Sequence, residues 1–290
     1  MTGRSEVPSD PVRRRLLDEL WNTDHRYYEL ARQHVRAAAQ RPGEYDFLRE
    51  RLPASGDILE VGCGEGSNME VLAAPGRRFV GCDLSALALR LATDSSPVGG
   101  TNRFVRGEGE ALPFPDATFC AVMGISLLEH LPHPETAIAE MARVLAPGGT
   151  LLLLSPQYGG PLGASPCRQG GGPGRFLRRF LRAHLPRRGS EMGWERVAPT
   201  VLEGAAYDGD RDAVIEPELT GLVRYLSHLG LELEVVTSGL EWATWLDYPG
   251  SLPQQLARAI CERLGRLGLA PYRHFGPVVA VAARRPPVKP

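Results

Sequence analysis

The sequence predicts a doubly wound α/β fold, with helices on both faces of a mostly parallel sheet, and three observations carry that reading. An apolar segment, Asp57-Ile58-Leu59-Glu60-Val61, runs straight into the glycine-dense turn Gly62-Cys63-Gly64-Glu65-Gly66. A second apolar segment, Val80-Gly81-Cys82, ends in an acid, Asp83, followed by Leu84. From Ile58 onward, short apolar runs alternate with helical stretches, the pattern of βα units laid into a parallel sheet.

The elements follow in order. Leu16, Leu17, Leu20 and Trp21, then Tyr28, Leu30, Ala31 and Val35, recur at helical spacing and predict a helical cap over residues 1–50. Strands are expected near 57–62, 78–83, 102–106, 119–124 and 149–155, within a core spanning 51–156. Ala146-Pro147-Gly148-Gly149 reads as a sharp break between a helix over 134–145 and the strand after it. Residues 156–174 are crowded with Gly and Pro and read as a mobile loop. They open an insertion over 157–215, placed to cover a substrate, in which 175–185 forms a short basic amphipathic helix. A helix near 216–229, a strand near 231–237 and a last strand over 277–283 complete the sheet within 216–290. A second insertion, 239–272, carries Trp242, Trp245 and Tyr248.

Composition narrows the function classes. The chain has 290 residues, enough for one elaborated domain with a sizeable core. A formal net charge of −1 supplies no field that would draw it to RNA, DNA or an anionic membrane. No apolar run approaches a membrane span, and the N-terminus lacks the apolar core of a signal peptide, which points to a cytoplasmic protein. Five cysteines without a C-x-x-C pair indicate neither a disulfide framework nor a zinc site. Cys63, Cys82 and Cys120 read as small packing residues. Asp208, Asp210 and Asp212 mimic the start of a calcium loop, but Ala213 stands where its glycine belongs and Leu219 where its closing acid belongs. A polar turn is the expectation there, and no metal site is indicated.

The glycine turn followed by a strand-end acid is how a chain holds an adenosine, because glycine admits close backbone approach and the acid accepts from ribose hydroxyls. A dinucleotide site would need G-x-G-x-x-G; here Ser67 occupies the third position and Gly66 comes one residue early. Glu60 would repel a pyrophosphate but suits an ammonium or sulfonium. The spacing E-x-G-x-G-x-G resembles motif I of the class I S-adenosylmethionine-dependent methyltransferases. Residues 107–116 (GEGEALPFPD), Phe119, Leu128-Glu129-His130 and Arg143-Val144-Leu145-Ala146-Pro147-Gly148-Gly149 continue the resemblance in register. They look like the branch that includes the ubiquinone-biosynthesis and small-molecule enzymes, over about residues 56–156.

The resemblance implies a seven-stranded, Rossmann-like sheet and S-adenosyl-L-methionine as cofactor. It places the methionyl part over Glu60, Gly62, Cys63 and Gly64, the ribose on Asp83, and the adenine against Leu84, Glu108 and Gly109. Ile125, at the end of the fourth strand, and Tyr28, on the N-terminal helix that folds over the cofactor in similar enzymes, are further candidate contacts; packing of the Tyr28 ring in the core is the alternative. Two positions depart from the family: Cys120 replaces an acid, and Glu108 the commoner Asp. His130 is the candidate base for a hydroxyl acceptor, against a purely structural role in the turn, whereas His25 and His133 read as surface residues. The arginine helix (Arg175, Arg178, Arg179, Arg182, with Phe176, Leu177, Phe180 and Leu181 opposite) admits three readings: a solvated lid, a patch for an anionic substrate group, or a membrane-surface helix. The expected reaction is methyl transfer to a small molecule, preferably to an oxygen of a secondary metabolite or sugar. The rivals are a lipid- or glycan-linked acceptor and a non-catalytic cofactor-binding partner subunit.

Overall fold

In the computed structural model, residues 11–96, 101–168, 173–184, 191–200, 210–248 and 250–288 are described. Asp208 lies outside them, as do residues 169–172, 185–190 and 201–209 of the expected 157–215 insertion. Helices α1 (Pro11–Thr23), α2 (His25–Ala38) and α3 (Glu44–Arg51) come first. Asp24 caps α2 by accepting from the backbone N–H groups of Arg26 and Tyr27, which would otherwise have no partner. The buried face of α3, Tyr45, Phe47 and Leu48, reaches into the core.

The main sheet begins with β1 (Gly56–Val61), β2 (Arg77–Asp83), β3 (Arg103–Arg106), β4 (Phe119–Ile125) and β5 (Leu145–Pro156). Between them run α4 (Ser67–Val71), α5 (Ala86–Ser95) and α6 (Pro134–Val144), with α7 (Pro173–His184) beyond β5. A separate antiparallel pair joins β6 (Glu195–Arg196) to β7 (Ile215–Glu216). Then α8 (Leu219–His228), β8 (Glu232–Thr237), α9 (Leu252–Arg266) and β9 (Val278–Arg284) end the fold.

Seven strands lie in the order β3-β2-β1-β4-β5-β9-β8. The first five run parallel, and β9 inserts antiparallel between β5 and β8. This is the Rossmann-like methyltransferase sheet expected from the sequence. Alternate residues face opposite layers. Leu59, Val61, Val122, Leu151, Leu153, Val279 and Val281 pack with Ile138 and Met141 of α6 and Leu222 and Leu226 of α8. Ile58, Ala121, Met123, Leu152, Leu154, Ala280 and Ala282 pack with Leu48 of α3 and Met69 of α4. Covering both faces is what makes these strands almost continuously apolar. Chain order reverses between β1 and β4, so a crevice opens beyond their carboxyl ends, where open parallel sheets bind ligands.

Three expectations change. Residues 146–149 do not break the chain: β5 starts at Leu145, opposite Phe119, and the register then jumps so that Thr150 faces Ala121. The segment stays in the sheet because Gly148 N–H donates to Arg285 O at 2.8 Å and Arg285 N–H to Gly149 O at 3.0 Å. Residues 157–168 are packed rather than solvated, with Gln157, Tyr158, Ser165 and Cys167 buried. Gln157 Nε2 donates to the carbonyls of His274 and Gly276, and Ser165 N–H to Glu216 Oε1. Helix α7 does not turn all its charge to solvent: Arg179 is 4% exposed, while Leu177 and Leu181 are 55% and 50% exposed beside the outward Arg178 and Arg182. Arg179 turns inward because Glu195, Glu216 and the carbonyls of Tyr158, Gly160 and Gly163 accept from it. Outward Leu177 and Leu181 leave Phe180 to pack against Tyr272 and Phe275. No helix among the described residues is long and apolar enough to cross a membrane.

Candidate active site

The crevice is built first by the turn after β1. Gly62, Gly64 and Gly66 all have positive φ (+70°, +52° and +81°), which glycine adopts without strain. A Cβ on Gly62 would come within 2.7 Å of Leu127 Cδ1, whereas one on Gly64 would meet nothing within 4 Å. Gly62 is favoured by its φ and by the nearness of the Leu127 side chain, and Gly64 exposes bare backbone to open space. The N–H of Gly64 donates to Asp83 Oδ2 at 2.8 Å, which ties the turn to the end of β2. Asp83 Oδ1 accepts from Ser85 N–H at 2.8 Å. A carboxylate has about four acceptor positions, so both oxygens retain capacity for ribose hydroxyls.

Glu60 is fully buried at the end of β1. Its Oε1 accepts from Asn68 Nδ2 at 2.7 Å, and its Oε2 has no hydrogen-bond partner. Burial pushes its carboxyl well above the ordinary range, opposed by the Asn68 bond. Glu65 is also buried, accepts from the Ser67 hydroxyl, and is raised chiefly by burial. Asp83 is raised by burial too, against the pull of its backbone donors. Three acids crowded around one turn, one with an idle oxygen, make a seat for a positively charged group. A pyrophosphate would meet Glu65 at the start of α4, a helix of only five residues. The Cys63 thiol is buried and its pKa raised by that burial, which leaves it a packing group.

The remaining cofactor candidates line the same end of the sheet. Leu84 is exposed directly after Asp83, free to lie against a flat ring. Gly107 N–H donates to Asp83 O at 3.0 Å and brings the Glu108-Gly109 loop beside β2, with the Glu108 side chain exposed. Ile125 closes β4, half-buried. Tyr28 behaves otherwise: its hydroxyl donates to Trp21 O at 2.7 Å and its ring packs with Leu87 and Ala88, the core alternative. Cys120, where the family has an acid, holds its sulfur 3.1 Å from Asp57 O, a packing contact beside β1. His25 and His133 are exposed.

His130 ends the single helical turn Leu128–His130 after β4. Its Nδ1 lies 3.6 Å from Asp212 Oδ2, its Nε2 3.8 Å from Glu129 Oε1, and Trp21 packs edge-on at 6.2 Å. Burial alone would lower the imidazole pKa, but Asp212, Glu129 and Asp210 outweigh it and push the value up to about 9. Glu129 and Asp210 are themselves raised, chiefly by burial. The raised value favours the cationic imidazole near neutral pH, which leaves Glu129 and Asp210 as the neighbours able to take a proton. The sequence missed these partners. Asp210 and Asp212 read there as a polar turn, yet Asp212 is 1% exposed and packs against the core. Trp21 Nε1 (3.0 Å) and the Tyr27 hydroxyl (3.2 Å) both donate to its Oδ2. The one available signal was the unusual spacing of three aspartates.

The arginines of α7 are committed elsewhere. Arg178 and Arg182 face Glu195, Arg179 faces Glu195 and Glu216, and Arg175 stands 3.7 Å from Glu216. Two carboxylates thus engage four arginines, and the Arg178 and Arg182 side chains remain 51% and 44% exposed.

Residues 59–153 match the family model described as a methyltransferase domain. Among curated proteins, the 2-methyl-6-phytyl-1,4-hydroquinone methyltransferase of Synechocystis sp. is 32% identical over 105 residues, 36% of this chain and 33% of that one. The fatty-acid O-methyltransferase of Mycolicibacterium smegmatis is 36% identical over 97 residues, 33% and 35% of the two chains. The chain thus spans about a third of the length of these two relatives. Among solved structures, an S-adenosylmethionine dependent methyltransferase from Mesorhizobium loti superposes with a TM-score of 0.53 at 19% identity, covering 87% of this chain and all of that one. That likeness is one of fold.

Proposed function

We propose that this chain, whose residues 59–153 match the methyltransferase-domain model, binds S-adenosyl-L-methionine and transfers the methyl group to an oxygen of a small molecule. The observation that carries this reading is the idle, buried Oε2 of Glu60, just before the glycine turn in which Gly64 faces open space. An ammonium there satisfies an orphaned acceptor whose burial is otherwise costly. Asp83 takes the ribose hydroxyls, while Leu84 and the Glu108-Gly109 loop take the adenine. The cofactor supplies a methyl already activated by its sulfonium. The protein's part is to align the acceptor with that methyl and exclude water. A hydroxyl acceptor must also lose a proton, and the carboxylates held beside the His130 imidazole, Glu129 and Asp210, are the groups able to receive it.

A lipophilic acceptor is the second reading. Leu252, Leu256 and Ile260 form an exposed apolar stripe at i, i+4, i+8 spacing on α9, and the two relatives are named for a fatty acid and a phytyl hydroquinone. The test is transfer of a labelled methyl group to a panel of sugars, phenols, quinols and fatty acids. Label in one acceptor class is expected. His130→Ala should lower turnover about a hundredfold or more while cofactor affinity stays unchanged. Cofactor binding with no transfer to any acceptor would favour the non-catalytic partner subunit instead.

A further inference from the structure

We infer that Glu129, His130 and Asp210 form a binding site for one divalent transition-metal ion, with Asp212 orienting the histidine. One potential ligand atom from each of the three lies within 4.8 Å of the others. Three ligands of one ion with bonds of about 2.1 Å stand about 3.0–3.6 Å apart, so the set must draw in by about an ångström to hold it. Proximity of acids alone would not make a site. The independent observation is how each carboxylate is held.

Glu129 is fully buried; its Oε2 accepts from the Ser155 hydroxyl at 2.7 Å, while Oε1, 3.8 Å from His130 Nε2, has no hydrogen-bond partner. Asp210 Oδ2 accepts from the Tyr158 hydroxyl. Asp212 Oδ2 accepts from Trp21 and Tyr27 and faces His130 Nδ1, which is likewise without a hydrogen-bond partner. Ser155 and Tyr158 each fix one oxygen of a carboxylate, and in Glu129 the other is left idle toward the imidazole. A carboxylate behind the far nitrogen of a histidine, with hydroxyl donors behind the acids, is how protein metal sites orient their ligands. One imidazole and two carboxylates suit manganese, iron or zinc better than calcium or magnesium. Three protein ligands leave coordination positions open, and a hydroxyl on such an ion loses its proton more readily.

The proposal goes beyond methyl transfer and is read without it. Protein stripped with a chelator is titrated with Mn²⁺, following loss of the free-ion electron paramagnetic resonance signal. About one equivalent should bind, and the bound ion should show spin-echo modulation from a coordinated imidazole nitrogen. Asp210→Asn should weaken uptake at least tenfold, whereas Asp116→Asn, an exposed acid paired with Arg143, should not. No saturable uptake of Mn²⁺ or Zn²⁺ by the wild-type chain, or bound Mn²⁺ without nitrogen modulation, overturns the site whether or not the variants fold. Metal uptake by a chain that fails to bind S-adenosylmethionine would sink the methyltransferase reading and leave this one standing.

Discussion

Replacing Glu60 by Gln removes one charge with almost no change of shape, and its effect can be worked out from the residue's surroundings. In the ligand-free protein the carboxyl is buried, raised well above its ordinary range, and left with one oxygen idle. A neutral amide changes little there: Gln can still accept from Asn68, and stability should shift by no more than about 1 kcal/mol, roughly 2–4 °C in melting temperature for a chain of this size. Affinity for S-adenosylmethionine should respond differently. A hydrogen bond to a charged group contributes about 1.5–3 kcal/mol, so Glu60→Gln should weaken binding roughly 10- to 150-fold. Calorimetric titration measures this, and a second ligand makes the result specific. Methylthioadenosine keeps the adenosine but lacks the amino-acid tail, so its affinity should be the same for both proteins. Equal losses for the two ligands, or none for S-adenosylmethionine, would refute the placement of the ammonium on Glu60.

Three other expectations follow from buried charge. If the ligand's ammonium requires ionised Glu60, binding must expel the proton that burial holds there, so affinity should fall as pH drops below the raised pKa and level off above it. Calorimetry in buffers of different ionisation enthalpy should detect proton release by the wild type and none by Glu60→Gln. The same shift makes the ligand-free fold lose stability as pH rises from the ordinary carboxylate range through the raised value, because the buried form prefers to be neutral. Arg179→Met should destabilise the fold by about 3 kcal/mol in denaturant titrations, the low end for breaking a buried pair, since Arg168 remains beside Glu216. A loss below about 1 kcal/mol would mean that Arg168 alone neutralises Glu216.

The sequence made the cofactor half legible because its signals are local. Gly62, Gly64, Glu60 and Asp83 lie on two neighbouring βα units, and parallel pairing of β1 with β2 brings Val61 opposite Cys82 with no further information. The half proposed for the acceptor was not legible for the converse reason. His130 owes its environment to Asp212, whose donors Trp21 and Tyr27 are 191 and 185 residues away in the chain, and no periodicity encodes such a meeting. The arginine helix misled in a particular way. An amphipathic pattern assumes that charge faces water, and Arg179 faces Glu216 instead, a buried acid that gives no periodic signal of its own. The bulge at 146–149 was hidden similarly: Pro and Gly signal a turn, and only the pairing with Arg285 returns the segment to the sheet.

Asp212 also bears on where the polypeptide can be cut or fused. Its Oδ2 joins Trp21 of α1 and Tyr27 of α2 to a segment that packs on the core, facing His130 after β4. Three remote stretches of chain are thus buttoned together by a single carboxylate. A polypeptide starting after Tyr28 would keep Glu60, the glycine turn and Asp83 intact, while both donors to Asp212 would be gone. On the proposed function, such a shortened product would lose the support of its acceptor side first, although Ser85 and Ala86, beside Asp83, would also lose their partners Trp21 and Asn22.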